Sequence, residues 1–164
     1  MTFKRLIRKR ILFVCTGNTC RSVMAAALAQ RALAGMPLEG AQVEIASAGL
    51  AAMPGDNASE GAVTVMREQG IDLSDHRSSL LTKQDVADAD LVLTMTAGHR
   101  EALCRLLPSA AGKIHTLARY AGAVGDVPDP FGRNNHIYRR VAAVLEELIP
   151  SALQRFGDEC SGIK

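Results

Sequence analysis

The stretch "ILFVCTGNTCRS", residues 11–22, sets an apolar run directly against a thiol, Cys15, and places Arg21 six positions later with small polar residues between. "SVMAAALAQRALAG" (22–35) then supplies strong helix formers closed by Gly35. An apolar strand turning through a short polar loop into an Ala-rich helix is the opening of a βαβ unit. The rest of the chain continues the alternation. "QVEIAS" (42–47), "DLVLTM" (90–95) and "GKIHTL" (112–117) read as strands. Between them, Asn57 with Glu60 is expected to cap a helix through Gln69, and Thr82 with Asp85 a short one. Thr96 is expected to cap "AGHREALCRLL" (97–107) ahead of Pro108. Ile137, Val141, Val144, Leu145 and Leu148 fall on one face of a last helix, which Pro150 should kink or end. The expected fold is α/β: one doubly wound domain with a four-stranded parallel sheet in flavodoxin-like order and helices on both faces.

Composition is compatible with that fold. The 164 residues are 48% hydrophobic and 22% charged, with a net charge of +2 that argues neither for nor against a nucleic-acid partner, and none is expected. No window approaches the roughly 18 apolar residues of a membrane span. The first ten residues, "MTFKRLIRKR", carry five Lys or Arg and no acid, and read as a solvated basic arm on the first strand. The domain is expected over residues 11–157, with a tail over 158–164. Four cysteines, Cys15, Cys20, Cys104 and Cys160, are too few for a disulfide framework and point to a reducing cytoplasm.

In doubly wound sheets, ligands bind beyond the carboxyl ends of the strands, which is where Cys15 to Ser22 lies. If the loop wraps an anion, the backbone N–H groups from Thr16 to Arg21 point inward and the following helix dipole favours negative charge there. A thiol in such a nest is expected to be thiolate, and the planar fork of Arg21 matches two oxygens of a phosphoryl group. Thr16, Gly17, Asn18, Thr19, Cys20, Arg21 and Ser22 are therefore the candidate phosphate-binding residues. No lysine follows the glycine, so this is not a nucleotide loop, and no second pair of cysteines has metal-ligand spacing. Hydrolysis through a phosphocysteine also needs a proton for the leaving group and later a base for water. "DVPDPFG" (126–132), in a long turn-rich loop, offers Asp126 and Asp129, and the rigid Asp-Pro pair favours Asp129.

With "VCTGNTCRS" (14–22) near the amino terminus and "DPFG" (129–132) near the carboxyl terminus, the chain resembles the low-molecular-weight protein-tyrosine-phosphatase family from Ile11 to about Phe156. The resemblance implies Cys15 as nucleophile, Arg21 as phosphate clamp, Ser22 as a hydroxyl bonded to the thiolate and Asp129 as general acid and base. It implies that Asn18 holds a strained turn supported by Ser47 in "IASAG" and His76 in "LSDHRSS". It further implies that Cys20 can form a reversible disulfide with Cys15, and that no metal or organic cofactor takes part. A monomer acting on phosphorylated proteins and inhibited by phosphate-like oxyanions is expected.

Two features depart from the common family pattern. Val23 and Ala26 stand where many members have proline and glutamate. Thr19 stands where phosphotyrosine-specific members usually have an aliphatic residue, and Phe131 with Gly132 replaces their pair of tyrosines. Thr19 and Phe131 resemble the branch that acts on protein phosphoarginine, since a hydroxyl can interact with a guanidinium that a methyl group would only desolvate. "GLAAMPGDNAS" (49–59), the expected wall of the site, lacks aromatic residues, and Asp56 and Asp126 could attract a cationic guanidinium. The alternatives are a phosphotyrosine phosphatase, an arsenate reductase, which would need a closely spaced second cysteine pair, and a non-catalytic phosphoprotein-binding module, which would be expected to lack Cys15 or Asp129.

Overall fold

The computed structural model describes residues 5–162. Four parallel strands, β1 (Ile7–Cys15), β2 (Ala41–Gly49), β3 (Leu91–Thr94) and β4 (Ile114–Thr116), form one sheet in the order β2-β1-β3-β4. This is the expected doubly wound arrangement. The helices are α1 (Arg21–Gly35), α2 (Glu60–Glu68), α3 (Lys83–Asp88), α4 (Ala97–Leu106), α5 (Leu117–Tyr120) and α6 (Asn135–Ser161), with a short 3₁₀ turn over Pro108–Lys113.

The two-residue period of β1 divides the core. Ile11, Phe13 and Cys15 point to one face, where they pack with α1, α2 and the apolar stripe of α6. Leu12 and Val14 point to the other face, against Val86 of α3 and Leu103 of α4. All five of these β1 side chains are buried, because the strand lies inside the sheet with helices above and below. That burial fixes the register of β1 and therefore the position at which the chain leaves the sheet, Cys15.

Several boundaries differ from the sequence reading. β1 starts at Ile7 rather than Ile11, because Ile7 to Arg10 pair with Ala41 to Glu44 of β2. Arg8, Lys9 and Arg10 are thus strand residues, with Lys9 facing Asp90 and Arg10 facing Glu44, each at 3.8 Å. The first four residues of the basic arm lie outside the described residues. The cap of α2 is Ser59, whose hydroxyl accepts from Ala62 N–H, rather than Asn57. Thr82 and Asp85 do form a reciprocal capping box on α3, and Thr96 caps α4. The four-residue α5 is too short to have left a periodic signal.

Pro150 does not end the last helix, which runs on to Ser161 and absorbs most of the expected tail. Tyr138, Val141, Leu145, Ile149, Ala152, Leu153 and Phe156 bury one continuous stripe, so packing outweighs the backbone hydrogen bond that the proline lacks. The proline itself is exposed. Pro150→Ala is therefore expected to stabilise the protein by about 1–3 kcal/mol, seen as a higher urea midpoint. An unchanged or lower midpoint would contradict this account of α6.

Candidate active site

The loop between β1 and α1 is shaped by where its carbonyls go. Cys15 O accepts from Leu50 N–H, Thr16 O from Ala51 N–H and Thr19 O from Ser59 N–H, each at 2.9 Å. Asn18 O accepts from His76 Nε2 at 2.8 Å, and Cys20 O from Met24 N–H at 3.0 Å within α1. In a trans peptide the N–H points opposite to the C=O, and no peptide of the described chain is cis. Turning these five carbonyls outward turns the amides of Thr16, Gly17, Thr19, Cys20 and Arg21 towards the concave side. The result is an anion nest continued by the amino terminus of α1.

Asn18 fixes the bend. It has φ of 55°, a left-handed conformation that asparagine tolerates better than most side chains, and it is fully buried. Its side-chain Oδ1 accepts from Ser79 N–H at 2.9 Å, while Nδ2 donates to Ser22 Oγ at 2.8 Å. Ser22 Oγ also lies 2.9 Å from Cys15 Sγ. Towards a Cys15 thiolate that hydroxyl can only donate, and the sulfur also receives Asn18 N–H at 3.3 Å. Two donors thus converge on Cys15 Sγ and stabilise negative charge there.

Arg21 is buried, and its Nη1 donates to Val127 O at 3.2 Å. Its Nη2 lies 3.6 Å from Asp129 Oδ2, the carboxylate being more than half exposed. The other carboxylate oxygen, Oδ1, accepts from Phe131 N–H at 3.0 Å in an Asx turn, so Asp129 is aimed by its own loop. Cys15, Thr16, Gly17, Thr19, Cys20, Arg21, Asp129 and Phe131 line a pocket of about 260 Å³. A thiol, an anion nest, a guanidinium and a carboxyl group share one cleft, a set suited to phosphoryl transfer through a covalent intermediate.

The low molecular weight phosphotyrosine protein phosphatase family model matches residues 10–161. The chain belongs to that family. A protein-arginine-phosphatase from Geobacillus stearothermophilus is 44% identical over 92% of this chain and 97% of its own length. The probable low molecular weight protein-tyrosine-phosphatase AmsI of Erwinia amylovora is 37% identical over 83% and 89%. A crystal structure of a low molecular weight protein tyrosine phosphatase from T. tengcongensis superposes with a TM-score of 0.84 at 40% identity, covering 90% of this chain and 99% of that one. The chain is accordingly a protein phosphatase of the low-molecular-weight family.

For this phosphatase the structure also redistributes some expected contacts. Ser47 makes no side-chain hydrogen bond to the loop among the described residues; it pairs with Phe13 in the sheet, and Asn18 is met by Ser79 instead. Residues 49–59 do not line the pocket: they support the loop from behind through the amides of Leu50, Ala51 and Ser59. Asp56 likewise lies off the pocket, its backbone paired with Ser78, and Asp126 accepts from Ala97 N–H at 2.8 Å. Cys20 Sγ donates to Ser59 Oγ at 3.1 Å and lies 3.4 Å from Tyr138 Oη. Burial and the neighbouring Cys20 thiol push the Tyr138 hydroxyl up to about 12. Cys104 and Cys160 pack against different core clusters, on opposite faces of the sheet.

Sequence reasoning missed His99, whose Nε2 lies 2.8 Å from Thr16 Oγ1, and Gly49 at the end of β2. A methyl group at Gly49 would sit 2.5 Å from Thr16 O and 2.9 Å from Asn18 N, both backbone atoms of the loop. Only a residue without Cβ lets β2 approach so closely. Gly49→Ala is expected to cost about 1–3 kcal/mol in stability and, by displacing the nest, to lower kcat/KM at least about tenfold. Wild-type kinetics in a folded Gly49→Ala protein would contradict the role given to this contact.

Proposed function

We propose that this phosphatase hydrolyses phosphoarginine in proteins through a phosphocysteine on Cys15. The observation that carries the substrate reading is that Thr19, a hydroxyl-bearing residue, lines the pocket while, of the eight lining residues, Phe131 alone is aromatic. The Thr19 hydroxyl has one weak protein contact, Cys20 Sγ at 3.7 Å, and so retains capacity to bond a guanidinium. The names of the Geobacillus relative and of a Bacillus subtilis relative, 44% identical over 85% of this chain, support the same reading. Phe131 is 72% exposed and could also stack on a phenyl ring, which makes phosphotyrosine the second reading.

The chemistry follows from the positions of the groups. Cys15 sulfur attacks phosphorus in line with the leaving nitrogen, so that the S–P bond forms as the P–N bond breaks. The inward amides and the Arg21 guanidinium hold the three equatorial oxygens as their charge redistributes. Asp129, protonated at this stage, gives its proton to the leaving guanidine nitrogen. Its carboxylate then takes a proton from water as that water attacks the phosphocysteine, which releases inorganic phosphate and restores the thiolate. Arg21 beside Asp129 keeps both steps in one cleft. The reading includes inhibition by phosphate-like oxyanions, which would occupy the same nest, action as a monomer, and a reducing cytoplasm in keeping with four free thiols. Cys20 would serve as a reversible disulfide partner for Cys15 under oxidation.

The deciding experiment compares kcat/KM on phosphoarginine and phosphotyrosine peptides for wild type and Thr19→Ile. Wild type is expected to prefer phosphoarginine by at least about tenfold, and the substitution to reverse the order, since an unmet guanidinium loses roughly 1–3 kcal/mol. A wild-type preference for phosphotyrosine would leave the chemistry in place and overturn the substrate. Cys15→Ser is expected to abolish turnover on both.

A further inference from the structure

The two loops that must meet at one phosphorus are joined by an element that belongs to neither. Ala97, the first residue of α4, donates its N–H to Asp126 Oδ1 at 2.8 Å. Two residues on, His99 Nε2 meets Thr16 Oγ1 of the phosphate loop at 2.8 Å. Beside Asp126, Val127 N–H donates at 2.9 Å to Met95 O, just ahead of the α4 cap Thr96. Val127 O in turn accepts from Arg21, 106 positions away in sequence. A carboxylate on the first amide of a helix also gains from the helix dipole.

We propose that the first turn of α4 is a brace that holds the acid segment in register with the phosphate loop, Asp126 and His99 being positioning residues that act through Asp129 and Thr16. The Asp126 half rests on Asp129 being the acid. His99 is nine-tenths buried, and its Nδ1 has no hydrogen-bond partner. A proton on Nε2, donated to Thr16, spares a buried N–H that would find no acceptor. It also leaves the Thr16 hydroxyl proton free for the pocket that Thr16 lines. Burial first, and then the nearby Arg21 charge, hold the His99 pKa below its ordinary value against the opposing pull of Asp126 and Asp129, so the ring senses both halves of the site. Neither Asp126 nor His99 lines the pocket, which is why neither is read as touching substrate.

The test uses kcat/KM on phenyl phosphate, a poor leaving group, and 4-nitrophenyl phosphate, a good one, in double-mutant cycles. Asp129→Asn should lose far more on phenyl phosphate. Asp126→Ala should show the same bias in smaller measure, an about fivefold greater loss on phenyl phosphate, with Asp126→Asn recovering most of it because its amide oxygen still accepts. On the Asp129→Asn background, Asp126→Ala should add less than about twofold. If it costs its full factor there, or the same factor on both substrates, the brace is overturned while the acid stands. If Asp129→Asn shows no leaving-group bias, the acid assignment fails first and the role of Asp126 with it. His99→Leu and Thr16→Val should each weaken inhibition by inorganic phosphate about fivefold, and together by no more than about twice either alone, with His99→Gln retaining most of the affinity. Losses that multiply would overturn the His99 half.

Discussion

Everything at the site depends on the direction in which five carbonyls of one loop are turned. Each outward carbonyl is occupied by a donor from another segment: Leu50 and Ala51 after β2, Ser59 at the cap of α2, His76 from the following loop, and Met24 in α1 itself. A buried carbonyl without such a partner would cost about as much as a lost hydrogen bond, so the loop cannot easily turn over. The inward amides are therefore preorganised rather than assembled around substrate, which is what electrostatic stabilisation of a developing charge requires. Asn18 completes the constraint by accepting a left-handed backbone and using both ends of its side chain, towards Ser79 and Ser22.

That constraint links core packing to chemistry. The buried register of β1 sets where Cys15 leaves the sheet, and Gly49 lets the neighbouring strand end flush against the loop. On the far side of the cleft, Arg21 is held by Val127 O and faces Asp129, so the guanidinium and the carboxyl group come as a unit despite their separation in sequence. A similar economy occurs behind the nest, where the Tyr138 ring passes over Gly61 so closely that a Cβ there would overlap it, and its hydroxyl reaches Cys20.

The parts of this design written in local order were legible in the sequence. The strand, loop and helix around Cys15 occupy consecutive positions, and the Asp-Pro turn aims its carboxylate within three residues. Contacts made across the fold were not. His99 meets Thr16 across 83 positions, and in sequence it was one of four scattered histidines. Gly49 carried no signal beyond being a glycine at a strand end, because what it avoids is a backbone from another segment. Ser47 was misread for a related reason: its residue type suits the support role, but strand register places it beside Phe13, and a backbone amide at Ser79 does the work that a side chain was expected to do. Of the kink or end that local propensity allows at Pro150, the end does not occur, because the buried stripe of α6 continues on both sides.

The central claim is that the nest exists to pass a phosphoryl group through Cys15 sulfur. It is tested most directly by rapid acid quench of the enzyme during turnover of a phosphorylated peptide, followed by mass spectrometry of the peptide that contains Cys15. The account predicts one phosphoryl group on Cys15, appearing before free phosphate and, with 4-nitrophenyl phosphate, whose good leaving group departs without the acid, accumulating when Asp129 is replaced by asparagine, since the same side chain must activate water. Full turnover with no phosphoryl group on Cys15 at any time, in wild type or Asp129→Asn, would contradict it.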